Sequence, residues 1–184
     1  GGERSFWYWR DRAAARDHFD TPPGGTPLEQ AAEAIDALYF SGISLAVVGE
    51  AGRARLLALA HRLRNRGATV VFDNNYRPRL WPDARTAQVA FAAAYAAASI
   101  ALVTLDDERA LHASTVGDDP QRLAGTLGLT VPELVVKRGA QPTLVRHGGR
   151  VVEVPTERVA TVVDTTAAGD SFAGAYLAAR LAGR

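Results

Sequence analysis

Short apolar runs alternate along this chain with longer segments whose apolar residues have helical spacing. The apolar runs predict buried β-strands at 38–43, 69–73, 100–104 and 133–137. The segments between them predict helices at 50–66, 82–99 and 106–113. Strands that alternate with helices indicate an α/β fold, in which a mostly parallel sheet carries helices on both faces. Ligands of such folds bind at the carboxyl ends of the strands.

Four segments add to this alternation. A strand period at 4–10 would place Phe6 and Tyr8 on one face and Trp7 and Trp9 on the other, which predicts a further strand. Gly148-Gly149 separates two runs that predict a β-hairpin. The sequence Thr26-Pro27-Leu28-Glu29 has an N-cap, a proline at the first helical position and a capping-box glutamate, so a helix is expected to run to about residue 38. The run 159–163 predicts a buried strand that leads into an Ala-rich C-terminal helix.

Composition narrows the class of protein. With 184 residues, one domain over 1–184 is expected. The chain has 21 Lys+Arg against 20 Asp+Glu, so it has no excess of positive charge with which to bind nucleic acid or an acidic membrane surface. It has no cysteine, which excludes disulfides and thiolate metal sites and favours a cytoplasmic protein. It contains no methionine and does not begin with one, which favours a piece of a longer reading frame.

The segment 164–172, DTTAAGDSF, carries the clearest chemistry. Ala167, Ala168 and Gly169 lack bulk and precede a predicted helix, so their backbone N–H groups are expected to converge on an anion. Asp170 follows in the first turn, where it is able to accept a proton from a hydroxyl that attacks a phosphate. Spacing alone leaves a second interpretation open, in which Asp170 or Ser171 only caps the helix.

The longer sequence DTTAAGDSFAGAYLA resembles the C-terminal signature of ribokinase-type (PfkB) carbohydrate kinases, D-T-[TV]-G-A-G-D-x-[FL]. The resemblance implies a ribokinase-like three-layer α/β/α fold, here incomplete, with the chain forming about the C-terminal two-thirds of one kinase domain. It implies ATP and Mg²⁺ as cofactors, Asp170 as the catalytic base and Ala167, Ala168 and Gly169 as the anion hole. Ala167 stands where most of the family has Gly, so either the backbone there is ordinary or the loop differs.

Two further segments, 2–14 and 72–81, are similar to 2-keto-3-deoxygluconate kinases. This similarity implies that Tyr8, Arg10 and Ile43 contact a small sugar acid and that Arg77 reaches both substrate and phosphate. A guanidinium binds a carboxylate bidentately, as an acidic sugar requires. Residues 1–10 would then form the end of the lid and substrate strand. The resemblance also implies that the intact protein could form a homo-oligomer through this lid. An amphipathic edge strand remains the alternative for 4–10.

The resemblance also places nucleotide and metal contacts. Lys137, Gly139 and Ala140 fall in a segment like the family's K-x-G-x-x-G, although Pro142 replaces the last Gly. Glu108 fits the glutamate of the family's Asn-x-x-Glu motif, which acts behind Mg²⁺, although Leu105 replaces the Asn. The nucleotide-binding residues implied in all are Asn75, Tyr76, Arg77, Lys137, Gly139, Ala140, Ala168 and Gly169.

The sequence therefore indicates an ATP-dependent kinase that phosphorylates the terminal hydroxyl of 2-keto-3-deoxygluconate. The alternatives are a related kinase for a neutral sugar such as fructose, or a catalytically silent binding module. The 184 residues alone are expected to be inactive, because the outer strands of the fold would lie elsewhere. No G-x-x-x-x-G-K-[ST] or G-x-S-x-G motif occurs, which weighs against Walker-type ATPases and α/β-hydrolases.

Overall fold

The structure, a computed structural model, describes residues 13–113 and 131–183. The described residues form six strands in one sheet whose spatial order follows the chain. Neighbouring strands among the first four are parallel, and the last two pair antiparallel as a hairpin. The strands are β1 Ala37–Ser41, β2 Thr69–Asp73, β3 Ile100–Thr104, β4 Glu133–Arg138, β5 Gln141–His147 and β6 Arg150–Val154. The predicted mostly parallel sheet and the hairpin are confirmed. The strand expected at 4–10 lies outside the described residues.

One short helix precedes β1, and the others occupy the connections between the parallel strands and the C-terminal segment. They are α1 Pro27–Gln30, α2 Gly42–Val47, α3 Gly49–Asn65, α4 Ala84–Ala97, α5 Leu105–His112 and α6 Ala168–Leu181. The three helices expected between strands correspond to α3, α4 and α5, and the Ala-rich helix corresponds to α6. None of the described helices is long and apolar enough to cross a membrane.

The first helix is shorter than expected. Thr26 caps α1 with the predicted capping box, but the helix ends at Gln30 rather than near residue 38. A single 3₁₀ turn, Ala32–Ala34, follows, and Ile35 then adopts an extended backbone that leads into β1. No residue of α1 itself is buried, so packing does not extend the helix beyond its well-capped first turn.

The strand expected at 38–43 ends at Ser41, and the short helix α2 that follows was not predicted. Ser41 and Ser44 form a reciprocal capping box, in which the Ser44 N–H donates to Ser41 Oγ at 3.4 Å and the Ser41 N–H donates to Ser44 Oγ at 3.2 Å. Ile43 therefore lies in the first turn of α2. An apolar run does not by itself distinguish a buried strand from a strand that turns into a buried helix.

The buried strand expected at 159–163 is wrong. These residues have no regular secondary structure, and Val159, Val162 and Val163 are 69%, 64% and 89% exposed. A strand that is apolar on both faces needs pairing partners and covers on both sides. None of the described strands pairs with this segment.

The two faces of the sheet carry separate apolar cores. One face packs mainly against α3, α4 and α5 and includes Phe72 and Phe91, which meet edge to face with ring centroids 5.3 Å apart. The other face packs against α6 through a smaller cluster of Val71, Ile100, Leu102, Val135 and Ala173. Successive residues of a strand point to opposite faces, so a continuous apolar strand fills both cores. This arrangement confirms that helices cover both faces.

A buried carboxylate attaches α6 to the sheet. Glu133, at the start of β4, is 3% exposed and accepts hydrogen bonds from Tyr176 Oη at 2.6 Å and from Arg180 Nε and Nη2 at 3.0 and 2.7 Å. His147 Nδ1 lies 2.9 Å from the same carboxylate. These contacts fix the C-terminal half of α6, and they orient the first turn of the helix toward the carboxyl ends of the strands.

Glu29 provides a stability test near the N-terminal end of the described chain. Its carboxylate accepts from Arg55 Nε at 2.9 Å and from the Thr26 N–H at 3.1 Å, and the Arg55 hydrogen bond is the main cause that lowers the Glu29 pKa from 4.5 to about 2. Glu29→Gln should lower the free energy of unfolding at pH 7 by about 1–2 kcal/mol.

Because the Glu29 pKa is lowered in the folded state, this stabilisation is present above pH 4.5 and disappears as the pH falls toward 2. Urea unfolding of both proteins at several pH values measures the difference. A difference that stays constant from pH 7 to pH 3 would contradict the ionic role of Glu29.

Candidate active site

Three polar side chains share the α6 face of the sheet at its carboxyl edge. Tyr39 pairs with Val71, whose side chain lies in the α6 cluster, and Asp73 follows Val71 by two residues. Lys137 follows Val135 of the same cluster by two residues. The period of two along each strand therefore places Tyr39, Asp73 and Lys137 on one face.

These side chains form a network around the buried carboxylate of Asp73. Lys137 Nζ lies 3.4 and 3.3 Å from Asp73 Oδ1 and Oδ2, and Tyr39 Oη donates to Asp73 Oδ2 at 3.1 Å. Asp73 is 2% exposed. Burial raises the pKa of the Asp73 carboxyl, Lys137 and Tyr39 oppose that rise, and the charge of Asp170 adds to it. Asp170 is thus close enough to the network to interact with it electrostatically.

The start of α6 brings the small-residue loop to the same edge. Asp170 lies in the first turn of the helix, as predicted, and the Ser171 N–H donates to the Ala167 carbonyl at 2.8 Å. Lys137 lies close to this turn: a Cβ placed on Gly169 would be 4.0 Å from Lys137 Nζ. The structure therefore brings together Lys137, Ala167, Ala168, Gly169 and Asp170.

Ala167 has a left-handed backbone, with φ of 58° and ψ of 14°. Ala167 stands where most of the family has glycine, and two explanations were open: an ordinary backbone at this position or a different loop. The left-handed backbone excludes the first explanation. A side chain with a Cβ is strained in this region, which is why glycine is the usual residue there.

We expect Ala167→Gly to raise the free energy of unfolding by about 0.5–1 kcal/mol, because it relieves this strain. Ala168→Gly is the matched control: Ala168 is the first residue of α6, so the same change there should be neutral or destabilising by up to about 1 kcal/mol. Thermal unfolding of the two variants measures both effects. Equal changes in the unfolding temperature of the two variants would show that Ala167→Gly does not act by relieving backbone strain.

The predicted nucleotide segment after β4 is a tight turn. Gly139 and Ala140 connect β4 to β5, Gly139 has φ of 63°, and Arg138 pairs directly with Gln141. Pro142, which replaces the expected glycine, lies inside β5, and its carbonyl accepts from Arg138 Nε at 2.7 Å. The positive φ explains the need for glycine at 139. The proline lies where the β4–β5 register shifts and has no paired position in either ladder of β5, so its missing N–H costs no ladder hydrogen bond.

A second polar cluster surrounds Glu108, which is 2% exposed. Its Oε2 accepts from Tyr95 Oη at 2.8 Å and from Asn74 Nδ2 at 3.2 Å, and His112 Nε2 lies 3.4 Å from its Oε1. Both carboxylate oxygens are thus engaged by protein groups. The residues that the structure describes contain no cluster of three or more His, Cys, Asp or Glu side chains that would hold a metal ion. Glu108 therefore does not fit the role of a direct metal ligand.

The segment after β2 joins this cluster to the carboxyl edge. Asn74 Oδ1 accepts from the Thr104 N–H at 2.9 Å, so Asn74 ties the end of β2 to the end of β3. Asn75 has φ of 30°, and its N–H donates to the same Asn74 oxygen at 2.8 Å. The Tyr76 ring is buried against Phe91.

Arg77 remains half exposed at this edge. Its Nη1 lies 3.3 Å from Asp107 Oδ2, and burial raises the pKa of that carboxyl while Arg77 opposes the rise. Ile43 lines a separate, mainly apolar cavity of about 400 Å³ together with Phe19, Leu38 and Tyr39. Tyr8 and Arg10, the expected contacts for a sugar acid, lie outside the described residues.

Sequence analysis missed four residues of this edge: Tyr39, Asp73, Asn74 and Asp107. A signal for two of them was present, because Asp73 and Asn74 are polar residues directly at the end of an otherwise apolar run. Asp107 has no such signal beyond an acidic first helical turn, and Tyr39 lies inside an apolar run. Their partners are 30 to 64 residues away in sequence, so only the sheet brings them together.

The fold and this site define a class. A mostly parallel α/β sheet with a small-residue loop and an aspartate at a helix N-terminus, all at the carboxyl edge, is suited to phosphoryl transfer to a hydroxyl. Comparison with known families identifies the class more closely. Residues 1–184 match the pfkB family of carbohydrate kinases, and the chain belongs to that family.

Individual relatives agree with this assignment. The chain is 46% identical to the 2-dehydro-3-deoxygluconokinase of Dickeya dadantii and 44% identical to that of Escherichia coli K12, over 99% of its own length in both cases. It spans 59% of the length of each of these relatives. The aminoimidazole riboside kinase of Salmonella enterica, solved with aminoimidazole riboside and an ATP analogue, superposes with a TM-score of 0.65 at 30% identity, covering 76% of this chain and 46% of that one.

Proposed function

We propose that the protein is an ATP-dependent kinase that transfers a phosphoryl group to the terminal hydroxyl of 2-keto-3-deoxygluconate, which is another name for 2-dehydro-3-deoxygluconate. The observation that carries the reaction type is the Asp170 carboxylate in the first turn of α6, three residues after the left-handed Ala167. The choice of sugar acid is supported by relatives named 2-dehydro-3-deoxygluconokinase at 36–46% identity over nearly the whole chain.

In this proposal Asp170 accepts the proton of the sugar hydroxyl while the hydroxyl oxygen bonds to the γ-phosphorus of ATP. The bond from that phosphorus to the β–γ bridging oxygen breaks, and ADP leaves. Ala167 and Gly169 would present backbone N–H groups at the positive end of the α6 dipole and stabilise the charge on the transferred group. The Ala168 N–H, also expected in the anion hole, donates instead to the Thr165 carbonyl at 3.2 Å. Lys137 adds a fixed positive charge beside Gly169.

In this proposal arginine side chains bind the carboxylate of the sugar acid. Arg77 is half exposed at the carboxyl edge and carries donors for a carboxylate or a phosphate. Arg10 and Tyr8 are the further sugar-acid contacts in this proposal, with Ile43 on the apolar side. The nucleotide contacts are assigned to Asn75, Tyr76, Arg77, Lys137, Gly139, Ala140, Ala168 and Gly169. Mg²⁺ enters the proposal as the ion that would accompany the nucleotide, with Glu108 as the residue that would act behind it.

The proposed location of the reaction is the cytoplasm, in keeping with a chain that has no cysteine. The near-balanced charge of the chain supports small-molecule partners rather than nucleic acid. Assembly of a homo-oligomer through the lid also remains a proposal, since the lid would involve residues 1–10.

A substrate panel tests the proposed specificity. The complete gene product that carries this chain is supplied with ATP and with either 2-keto-3-deoxygluconate or fructose, and ADP release is measured. We expect kcat/KM for the acid to exceed that for fructose by at least about 10²-fold, because the guanidinium groups that would bind the carboxylate have no partner in a neutral sugar. The Asp170→Asn variant from the same purification controls for contaminating kinases. A preference for fructose would replace the proposed substrate with a neutral sugar, as in the fructokinase of Salmonella thompson, which is 32% identical over 73% of this chain.

A further inference from the structure

The Tyr39–Asp73–Lys137 network connects three strands to the helix that carries Asp170. Asp73 ends β2, Lys137 lies near the end of β4, and Tyr39 lies in β1. The buried carboxylate of Asp73 is shared between the Lys137 ammonium and the Tyr39 hydroxyl. Burial of an ionised carboxylate raises the free energy of the folded protein unless the charge is paired. Lys137 and Tyr39 are the groups that pair with Asp73 and compensate for its burial.

Lys137 is the residue through which this network reaches α6. Its ammonium lies 5.9 Å from the centre of the Phe172 ring and next to Gly169. These two residues flank Asp170 in the sequence. The Lys137 side chain is only 14% exposed, and Asp73 is the carboxylate that it pairs with among the described contacts. Lys137 is also the single lysine of a chain that otherwise uses arginine. A compact ammonium fits between a carboxylate, a glycine and an aromatic ring, whereas a planar guanidinium is larger and has a fixed donor geometry.

We propose that Asp73 is a positioning residue for phosphoryl transfer: it holds the Lys137 ammonium against the first turn of α6, next to Asp170, and Tyr39 fixes the Asp73 carboxylate in turn. This inference rests on the proposed kinase function. It assigns to Asp73 an effect on the reaction that passes through Lys137, without contact between Asp73 and either substrate. Loss of the Asp73 charge leaves the ammonium without a fixed partner, and the positive charge beside the anion loop is then no longer preorganised.

A double-mutant cycle tests this coupling in the complete gene product. Asp73→Asn keeps the size of the side chain and removes its charge, and Lys137→Met removes the ammonium. We expect Asp73→Asn alone to lower kcat about 10-fold or more, with KM for the sugar within about twofold. In the Lys137→Met background the same change should alter kcat by less than about twofold, since the group through which Asp73 acts is already gone.

Two further variants separate positioning from a structural role. Tyr39→Phe removes one hydrogen bond to Asp73 and should lower kcat by a smaller factor, about two- to fivefold. Glu153→Gln is the matched control, because it breaks the ion pair that Glu153 Oε2 makes with Arg138 Nη2 at 2.5 Å, one residue further along β4, and should leave kcat unchanged. Thermal unfolding of every variant is measured beside the kinetics.

The outcomes are distinct. Two results together support the inference. The Asp73→Asn variant loses kcat at a temperature where it is folded, and the same substitution leaves kcat nearly unchanged in the Lys137→Met background. Additive losses in the double variant, or an unchanged kcat in folded Asp73→Asn, would overturn it. If Asp73→Asn does not fold, Tyr39→Phe decides in its place, and an unchanged kcat there overturns the inference. Failure of the kinase proposal itself appears separately, as absence of sugar phosphorylation by the wild-type protein.

Discussion

We expect Asp170→Asn to lower kcat by at least about 10²-fold while KM for the sugar stays within about twofold. The asparagine keeps the size of the side chain and its place in the first turn of α6, so the fold and the sugar site are retained. It is unable to accept a proton from the hydroxyl at neutral pH, and only the chemical step is affected. Steady-state kinetics of the complete gene product, with sugar binding measured separately by calorimetry, checks the expected split.

Asp106→Asn is the matched control for this variant. Asp106 is also an exposed aspartate in the first turn of a helix, α5, which begins at the end of β3. Removal of its charge tests whether any aspartate at a helix N-terminus has the same effect, and we expect kcat to change by less than about twofold. If Asp170→Asn retained most of its kcat and lost only stability, Asp170 would be a helix cap and the alternative interpretation of the motif would stand.

The second large effect is expected at Gly42, the first residue of α2. A Cβ placed there would lie 2.2 Å from the Asn74 carbonyl oxygen and 2.4 Å from Cζ of Phe91. Both neighbours are held firmly, because Phe91 is 1% exposed in the core and Asn74 is hydrogen bonded to the end of β3. Gly42→Ala should therefore lower the free energy of unfolding by about 3 kcal/mol, at the upper end of the cost of overpacking.

Gly174→Ala provides the opposite expectation from the same chemical change. Gly174 lies within α6, and a Cβ placed there would meet no heavy atom within 4 Å. Alanine is the better helix former, so this variant should gain about 0.5–1 kcal/mol. Denaturant unfolding of both variants measures the contrast. A Gly42→Ala protein as stable as the wild type would mean that α2 and β2 are less closely packed than the structure shows.

The effect of Gly42→Ala should extend to the site. Asn74 connects the end of β2 to Thr104 and to the buried Glu108, and displacement of its backbone would disturb both contacts. Close packing of α2 against the end of β2 thus explains why a residue without a side chain is needed at the start of this helix.

The sequence by itself determined the elements whose signals are local. Apolar runs and helical spacing predicted β2, β3, β4, α3, α4 and α5 close to their observed bounds, and Gly148-Gly149 predicted the turn between β5 and β6. The order of residues 164–172 was enough to predict an aspartate in the first turn of α6, whereas the anion loop before it stays a prediction. The signal for each of these is a pattern of residues within a few positions of one another, so it can be read from the local sequence.

Tertiary structure decided the features that depend on distant partners. The helix α2 forms where the chain turns at Ser41 and packs Gly42 against Asn74, and the apolar run at 159–163 stays exposed because no described strand pairs with it. The contact between Asp73 and Lys137 joins residues 64 positions apart. Strand pairing and burial set these features, because the energy of a buried charge or an unpaired strand depends on what the rest of the fold brings next to it.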